Sequence, residues 1–218
     1  MGEQFNVILA DPPWRYNSRA DHKTRFRGGA YGHYPLMSTE DICSLPVVDV
    51  VAKNALLFLW ATFPMITDAL EVIQAWGFQY CTIGFLWVKL NPGRAAYPRA
   101  RLAQKLYSKG LIGFLNWLRF YGVGYYAASN CEPCLLARRG KALKPANKVS
   151  SLVLAPRGPH SSKPKIVQDR IEKMYPLSNY NHLELFGRRP RPGWICLGND
   201  IDGTDIGNAI GALGGDNG

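Results

Sequence analysis

The sequence predicts an α/β fold in which a mainly parallel sheet is covered by helices on both faces, and three observations support this prediction. Several short apolar runs, such as NALLFLWAT at residues 54–62, lack the polar alternation of a half-exposed strand and are typical of strands buried on both faces. These runs alternate with segments of helical periodicity, as expected for parallel strands joined by helical crossovers. Two runs end directly in polar motifs, ILA-DPPW and LELF-GRRPRPGW, and α/β sheets bind ligands beyond the C-terminal ends of their strands.

The N-terminal part of the chain supplies three predicted strands and two predicted helices. We expect Ser38 to cap the first helix, with Asp41 at the capping-box position, and Pro46 to break it. Gly77 is expected to end the second helix, where a left-handed residue is favoured. Residues 15–35 are rich in Arg, Gly and Tyr and lack an apolar period, which predicts a mobile loop. The strands are residues 5–10, 54–62 and 81–90, and the second helix is residues 64–76.

The C-terminal part begins at residues 91–121, a segment with basic and aromatic side chains and no acid, in which we expect one helix over residues 102–120. Residues 203–218 are Gly-rich and are expected to form a flexible tail after a single domain at residues 1–202. The remaining strands are predicted at residues 125–138, 152–155, 183–186 and 194–197, and a last helix at residues 163–175.

The charge distribution indicates a polyanionic partner. The formal net charge is +10, and from Lys89 to Lys165 the chain has fifteen Lys or Arg residues and one acid, Glu132. A long segment of one sign produces a field that attracts polyanions, of which nucleic acid is the most common. From charge alone, a basic surface that serves only solubility is the alternative.

Further features favour a cytoplasmic protein. The best apolar run, residues 55–61, is far shorter than a bilayer span, so we expect no membrane partner. The N-terminal residues include an acid and lead directly into a motif, unlike a signal peptide. Five cysteines at irregular spacing suit a reducing compartment. Cys131 and Cys134 have the spacing of half a zinc site, but no second half follows, so we predict no metal and assign both residues to a strand.

The residues Asp11, Pro12, Pro13 and Trp14, called here the DPPW block, fit the demands of methyl transfer to the amine of adenine. That nitrogen is a poor nucleophile because its lone pair is delocalised into the ring. Acceptors for both of its N–H groups would favour a tetrahedral nitrogen, and the Asp11 carboxylate and the Pro12 carbonyl can supply them. Consecutive prolines hold that carbonyl rigidly, and Trp14 offers a flat face for stacking the base. A Pro-Pro turn with a core tryptophan is the alternative.

Eight blocks resemble, in the same order, the adenine-N6 methyltransferase family that includes the eukaryotic messenger-RNA adenosine methyltransferases and their bacterial and bacteriophage relatives. The resemblance covers almost the whole chain. It implies a Rossmann-like fold of S-adenosylmethionine-dependent methyltransferases with a permuted motif order, in which the catalytic strand precedes the cofactor-binding strand. The blocks are DPPW, YPLMS, LFLW, WVK, GVGYYAASNCEPCLLARRG, HSSKP, LELFGR and GWICLGND.

The resemblance also implies the cofactor, S-adenosylmethionine, and roles for individual residues. The DPPW block is catalytic, Lys163 neighbours both the methionine part of the cofactor and the target adenosine, and Arg188 contacts the cofactor ribose. Glu132 lies near the acceptor base, although a salt bridge to Arg138 or Arg139 is the alternative. The implied cofactor residues are Asp11, Lys163, Phe186, Gly187, Arg188, Asn199 and Asp200, and the implied substrate residues are Trp14, Tyr34, Lys89 and Glu132.

The basic and aromatic segment at residues 91–121 is a further candidate surface for nucleic acid. It interleaves cations, among them Arg99, Arg101 and Lys105, with aromatic side chains, as a nucleic-acid groove requires. An amphipathic helix that packs on the sheet or on a second subunit is the alternative, and both could hold with one helix face each.

We therefore expect a DNA adenine-N6 methyltransferase of a bacterial or phage-infected cell. The target base of a duplex would be flipped out of the stack, and the small size suggests either relaxed sequence specificity or a homodimer that shares recognition. RNA methylation is the alternative within this class, because the motifs recognise adenine and not the sugar. A catalytically inactive nucleic-acid-binding subunit is another, and the intact DPPW block argues against it.

Overall fold

The computed structural model describes residues 4–16, 36–122, 126–158 and 162–215. Within these residues the strands are β1 (Phe5–Ala10), β2 (Val51–Trp60), β3 (Gln79–Leu90), β4 (Cys131–Arg139), β5 (Leu152–Pro156), β6 (His182–Leu185) and β7 (Trp194–Leu197). The helices there are α1 (Thr39–Cys43), α2 (Val47–Val50), α3 (Ile66–Ala75), α4 (Pro92–Ala95), α5 (Arg99–Leu118), α6 (Ile166–Met174), α7 (Asn199–Asp202) and α8 (Ile206–Gly214).

The strands of the described residues form one seven-stranded sheet in the order β5-β3-β4-β2-β1-β6-β7. Strand β4 runs antiparallel to both of its neighbours, β2 and β3, and the other strand pairs are parallel. The predicted α/β fold with a mainly parallel sheet is confirmed. The antiparallel strand arises because the chain leaves β3 and enters β4 at the same edge of the sheet, so Glu132 near the start of β4 pairs with Trp87 near the end of β3.

Helices cover both faces of the sheet, as predicted. On one face the core contains Trp76 beside α3 and Ile210 of α8, packed against inward-facing residues of β1, β2 and β6. On the other face, Val167 and Ile171 of α6 pack with Trp60 and other large side chains. Because side chains alternate along a strand, each central strand contributes to both cores.

Local sequence signals explain several element boundaries. The Ser38 hydroxyl accepts from the Asp41 N–H while the Asp41 carboxylate accepts from the Ser38 N–H, which is the predicted capping box of α1. Pro46 separates α1 from α2. Gly77 follows α3 with φ of 76°, a left-handed conformation that favours glycine. The helix predicted over residues 64–76 is a short 3-10 turn, Phe63–Met65, followed by α3.

Two predictions about the C-terminal half need correction. The prediction of a flexible tail at residues 203–218 is wrong for residues 206–214, which form α8 with Ile206 and Ile210 buried; Asp205 caps this helix by accepting from the Gly207 and Asn208 N–H groups. Glycine content concealed an apolar period of four residues. The helix predicted over residues 102–120 is the longer α5, which is interrupted at Gly110 (φ 66°, ψ 171°). Residues 17–35 of the predicted loop lie outside the described residues.

In the part of the chain that the structure describes, no helix combines the length and hydropathy needed to cross a bilayer.

The packing of α8 predicts that a core truncation there is costly. Ile210 is fully buried, so Ile210→Ala should lower the free energy of unfolding by about 2–5 kcal/mol, measured by denaturant titration. Asn208→Ala on the exposed side of the same helix is the control and should change stability by less than about 0.5 kcal/mol. If both variants change the free energy of unfolding by the same small amount, the prediction of a flexible tail would be supported instead.

Candidate active site

The DPPW block leaves the sheet at the C-terminal end of β1. The Asp11 N–H donates to the Leu185 carbonyl at 3.3 Å, which ties the block to the end of β6. The Trp14 N–H donates to the Pro12 carbonyl at 2.9 Å, and the Met37 N–H donates to the Pro13 carbonyl at 2.9 Å. These bonds fix the backbone that follows Asp11. The Pro12 carbonyl predicted to face the substrate already has one partner, but a carbonyl oxygen can accept a second hydrogen bond.

Trp14 is a core residue, and the stacking role that the sequence suggested for it needs correction. Its side chain belongs to the apolar core on the α3 and α8 face, and the residue is only 6% exposed. Its indole N–H donates to the Trp60 carbonyl at 3.1 Å. Because its faces are covered by protein, Trp14 holds the DPPW block against the end of β2 and is not available to stack a base in this conformation.

Four charged side chains of alternating sign meet beside the DPPW block, and we call Lys89, Glu132, Lys163 and Asp11 the charged cluster. The Lys163 ammonium donates to an Asp11 carboxylate oxygen and lies 3.7 Å from Glu132 Oε1. On the other side of Glu132, Oε2 lies 3.0 Å from the Lys89 ammonium. The side chains of Glu132 and Lys163 are 11% and 17% exposed, so the cluster is largely shielded from water. Sequence reasoning selected all four residues.

The four side chains of the cluster come from three parts of the sheet and from the segment that precedes α6. Asp11 follows β1, Lys89 is near the end of β3, and Glu132 is near the start of antiparallel β4. Lys163 comes from the segment that leads into α6. The alternative pairing of Glu132 is wrong, because Arg138 donates to the Gly140 carbonyl and to Gln79, and Arg139 donates to the Val48 carbonyl at the opposite end of β4.

Aromatic rings line the charged cluster. The Lys163 ammonium lies 5.5 Å from the centroid of Trp60, and the Lys89 ammonium lies 5.3 Å from the centroid of Trp87. The two indoles meet edge to face at 6.4 Å. An aromatic face attracts a cation and displaces water, so these rings stabilise both ammonium groups while lowering the local dielectric.

The electrostatics of the cluster favour a charged Lys163. Burial disfavours the ammonium, but the carboxylates of Asp11 and Glu132 outweigh this effect and raise the pKa of Lys163 above its ordinary value. Burial likewise raises the pKa of Tyr16, whose hydroxyl donates to the Thr62 hydroxyl at 2.9 Å at the rim of the site. Lys163 is therefore a permanent cation at neutral pH.

The ends of β6 and β7 pack closely against each other next to the cluster, and we call Phe186, Gly187 and Gly198 the β6–β7 junction. The Gly187 N–H donates to the Leu197 carbonyl at 2.8 Å. A Cβ on Gly198 would lie 2.3 Å from the Gly187 carbonyl oxygen, so only glycine permits this approach of the two strand ends. Phe186 adopts φ of 61°, a left-handed conformation that turns the chain sharply after β6. The predicted cofactor residues Phe186 and Gly187 therefore lie at this junction.

The remaining predicted cofactor residues lie close to the same β6–β7 junction. Asn199 and Asp200 are exposed and open α7 directly after Gly198. Arg188 lies close enough to Lys163 that its charge opposes protonation of that lysine. These placements agree with the order of the motifs along the chain.

Three of the predicted substrate residues, all on α5, are not brought into the cluster. Tyr34 lies outside the described residues. Arg99 and Arg101 are exposed on α5, and Lys105 is half-exposed on the same helix. The Arg101 guanidinium stacks over Tyr97 at 4.2 Å. No residue of α5 is buried, so this helix forms a surface feature beside the site.

Sequence reasoning missed Glu184, which lies on β6 just before the β6–β7 junction. Its carboxylate accepts from the Gln168 side-chain amide of α6 at 2.8 Å and contacts the Cys196 thiol at 3.6 Å. Burial raises the pKa of Glu184 to about 7, with hydrogen bonds from Cys196 and Gln168 opposing the shift. Its place in an apolar LELF run, facing away from Leu183 and Leu185, was the signal available in the sequence.

This pKa predicts a pH-dependent stability. The unfolded carboxyl ionises near 4.5 and the folded one near 7, so the stabilisation is complete below pH 4.5 and is lost as pH rises to about 7. At about 1.4 kcal/mol per pKa unit, the loss is about 3 kcal/mol. Glu184→Gln should remove this pH dependence in chemical denaturation, whereas exposed Glu71→Gln should keep it. An unchanged pH profile in Glu184→Gln would contradict the assignment.

Comparison with known proteins identifies relatives over nearly all of the chain. Type II methyltransferase M.MunI from Mycoplasma sp is 28% identical, and the alignment covers 94% of this chain and 81% of that protein. The probable N(6)-adenosine-methyltransferase MT-A70-like of Oryza sativa subsp. japonica is 26% identical over 93% of this chain but only 24% of that protein. The human N(6)-adenine-specific methyltransferase METTL4 is 28% identical over 90% of this chain and 37% of that protein.

The chain thus spans most of M.MunI but well under half of the other two relatives. The MT-A70 family profile matches residues 5–110 and 120–200, which include the charged cluster and the β6–β7 junction. The gap between the two matched ranges, residues 111–119, covers the last part of α5 and the residue after it. The chain belongs to the MT-A70 family of methyltransferases.

Proposed function

We propose that this protein transfers a methyl group from S-adenosylmethionine to the exocyclic N6 amine of adenine in DNA. The observation that supports this most directly is the charged cluster. It places a carboxylate acceptor, Asp11, beside the cation of Lys163 at the strand end next to the β6–β7 junction.

The residues present fit the cofactor. The methionine part of S-adenosylmethionine is a zwitterion, and Asp11 and Lys163 offer one charge of each sign side by side. Gly198 lets the backbones at the ends of β6 and β7 approach closely beside this pair, and we propose that the cofactor lies against this β6–β7 junction. We assign the ammonium to Asp11, the carboxylate to Lys163, the ribose to Arg188, and the adenine to Asn199 and Asp200. When bound, the cofactor supplies an electron-poor methyl group on a sulfonium centre.

The same cluster suits the target amine. A carboxylate oxygen of Asp11 accepts one N–H of the adenine amine, and the second lone pair of the Pro12 carbonyl accepts the other. Both bonds draw the nitrogen towards a tetrahedral geometry with its lone pair free to attack. Methyl transfer would form the C–N bond as the bond between the methyl group and the sulfonium sulfur breaks, and the positively charged amine would then release a proton to solvent. Two carboxylates, Asp11 and Glu132, stabilise that developing charge in a site of low dielectric.

Glu132 and Lys89 orient this arrangement. Glu132 pairs with both lysines of the cluster, so it holds Lys163 between two carboxylates and fixes the direction of the ammonium. A group held within hydrogen-bond distance in a shielded site contributes to catalysis by positioning, because little freedom is lost when the substrate binds. Trp14 contributes indirectly, because it anchors the DPPW block to the end of β2.

DNA is proposed over RNA on two grounds. The alignment spans most of M.MunI, consistent with the DNA-modifying bacterial and phage branch that the sequence blocks resemble. The relatives described as N(6)-adenosine-methyltransferases align over a quarter of their length. Single-turnover methylation of matched DNA and RNA oligonucleotides tests the choice. Faster transfer to DNA supports it, and faster transfer to RNA would reverse it.

The two central residues of the site should fail differently. Asp11→Ala removes an acceptor needed mainly in the transition state, so methyl transfer should fall by about a hundredfold or more while cofactor affinity falls much less. Lys163→Ala removes the partner of the cofactor carboxylate and should weaken S-adenosylmethionine binding in calorimetry. Exposed Lys165→Ala and Glu71→Ala are the controls. Turnover of Asp11→Ala within tenfold of the parent, or unchanged affinity in Lys163→Ala, would remove the corresponding role.

The exposed α5 helix is proposed as a DNA contact. Each cation that engages a phosphate releases counterion, so the logarithm of affinity falls with that of salt concentration by about 0.9 per contact. Replacing Arg99, Arg101 and Lys105 together by Gln should flatten that slope by about two to three units and leave cofactor affinity unchanged. If α5 instead binds a second copy of the chain, the slope is retained, and Trp117→Ala shifts the protein towards monomer in analytical ultracentrifugation.

A further inference from the structure

A short strip of chain after α5, Arg119 to Gly122, is fastened to the end of β3 beside the charged cluster. The Phe120 N–H donates to the Lys89 carbonyl at 2.9 Å, and Arg119 pairs with Leu90 in an isolated antiparallel bridge. The Gly122 N–H donates to the Ser129 carbonyl at 3.2 Å. The first residue of the strip, Arg119, is therefore paired with Leu90, the residue that follows Lys89. The Lys89 ammonium is part of the charged cluster.

Close packing fixes the far end of this strip. A Cβ on Gly122 would lie 2.2 Å from the Ser129 carbonyl oxygen, so the two backbones approach at a distance that only glycine allows. Arg157, which follows β5, is joined to the same edge because its N–H donates to the Leu90 carbonyl at 3.3 Å. Strip and arginine are thus held at the catalytic edge of the sheet.

Two arginine–aromatic pairs lie on this strip, and we call Arg119, Phe120, Tyr121 and Arg157 the stacking platform. The Arg157 guanidinium lies 3.7 Å from the Phe120 centroid. The Arg119 guanidinium lies 5.3 Å from the Tyr121 centroid and donates to its hydroxyl at 2.9 Å. A guanidinium stacked on a ring keeps its edge N–H groups directed sideways, where they can bind phosphate in a bidentate manner.

Part of the platform faces solvent, whereas Arg119 and Phe120 are half-buried, and the platform has an unbalanced charge. Tyr121 is 56% exposed and Arg157 is exposed, so one ring and one cation are open to a ligand. Among the described residues, neither Arg119 nor Arg157 forms an ion pair with a carboxylate. The sequence has no acid from residue 91 to residue 131. Exposed rings with unneutralised cations are the combination that binds unpaired nucleotides.

We propose that the stacking platform binds the nucleotide next to the target adenine, with its base on Tyr121 and its phosphate on Arg157 and Arg119. This inference rests on the proposed function, because it takes the charged cluster as the place of the target base. A base flipped from a duplex leaves its neighbour unstacked, and an aromatic surface beside the site recovers part of that lost stacking. The platform would therefore lower the cost of flipping and set a preference for the neighbouring base.

The test uses the full chain and DNA oligonucleotides with one adenine, with affinity measured by fluorescence anisotropy over a salt series. Tyr121→Ala should weaken binding by about five- to a hundredfold, and Tyr121→Phe should restore it. Arg157→Gln should flatten the salt slope by about 0.7–0.9. Tyr80→Ala and Lys141→Gln, an exposed ring and an exposed cation at the opposite edge of the sheet, are the matched controls.

Abasic substitutions locate the contact. Removing the base on one side of the adenine should make wild type and Tyr121→Ala bind equally, because the ring has nothing left to stack. Persistence of the Tyr121→Ala effect on both abasic substrates, or variants that match their controls, would overturn the platform. Losses confined to RNA oligonucleotides would overturn its assignment to DNA. If wild type does not methylate adenine, the proposed function fails, whereas normal methylation with unchanged binding in the variants removes only the platform.

Discussion

The pairing of Lys163 with Asp11 is the interaction on which the rest of the site depends. A shielded ammonium is costly unless carboxylates surround it, and the structure supplies two, Asp11 and Glu132. Their positions require a strand that starts at the edge where the others end, and antiparallel β4 meets this requirement. The fold thus joins β1, β3, β4 and the approach to α6 through a single set of charges. Removing one member leaves an unbalanced charge in a site lined by indoles.

This arrangement links the two halves of the proposed reaction. On one side of Asp11 lies the β6–β7 junction, and on the other lie Lys89, the stacking platform and α5. Cofactor and DNA would approach from opposite sides and meet at one carboxylate. Because acids are absent from residues 91–131, the field on the proposed DNA side is positive, whereas the acids of the site lie in the cluster or, like Glu184 and Asp200, on the proposed cofactor side. Charge segregation therefore assigns each ligand to its own side.

Much of this arrangement could be predicted, because the residues concerned stand in short contiguous patterns. The alternation of strands and helices, the capping box at Ser38 and the members of the charged cluster follow from such patterns. Other features depend on distant packing. The burial of Trp14 requires the Trp60 carbonyl, and the direction of β4 depends on a long excursion after β3. Helix α8 was concealed by glycines, and the pKa of Glu184 arises from the cover that α6 provides.

The central claim is that the charged cluster directs methyl transfer to one atom, the N6 amine of adenine. The most direct measurement supplies the protein with isotopically labelled S-adenosylmethionine and DNA of mixed sequence. The DNA is then digested to nucleosides, and the labelled species are identified by mass spectrometry. If the charged cluster directs methyl transfer as proposed, the label will be found on N6-methyldeoxyadenosine. Label on the amine of cytosine or on a ring nitrogen of adenine, or DNA without label, would contradict it.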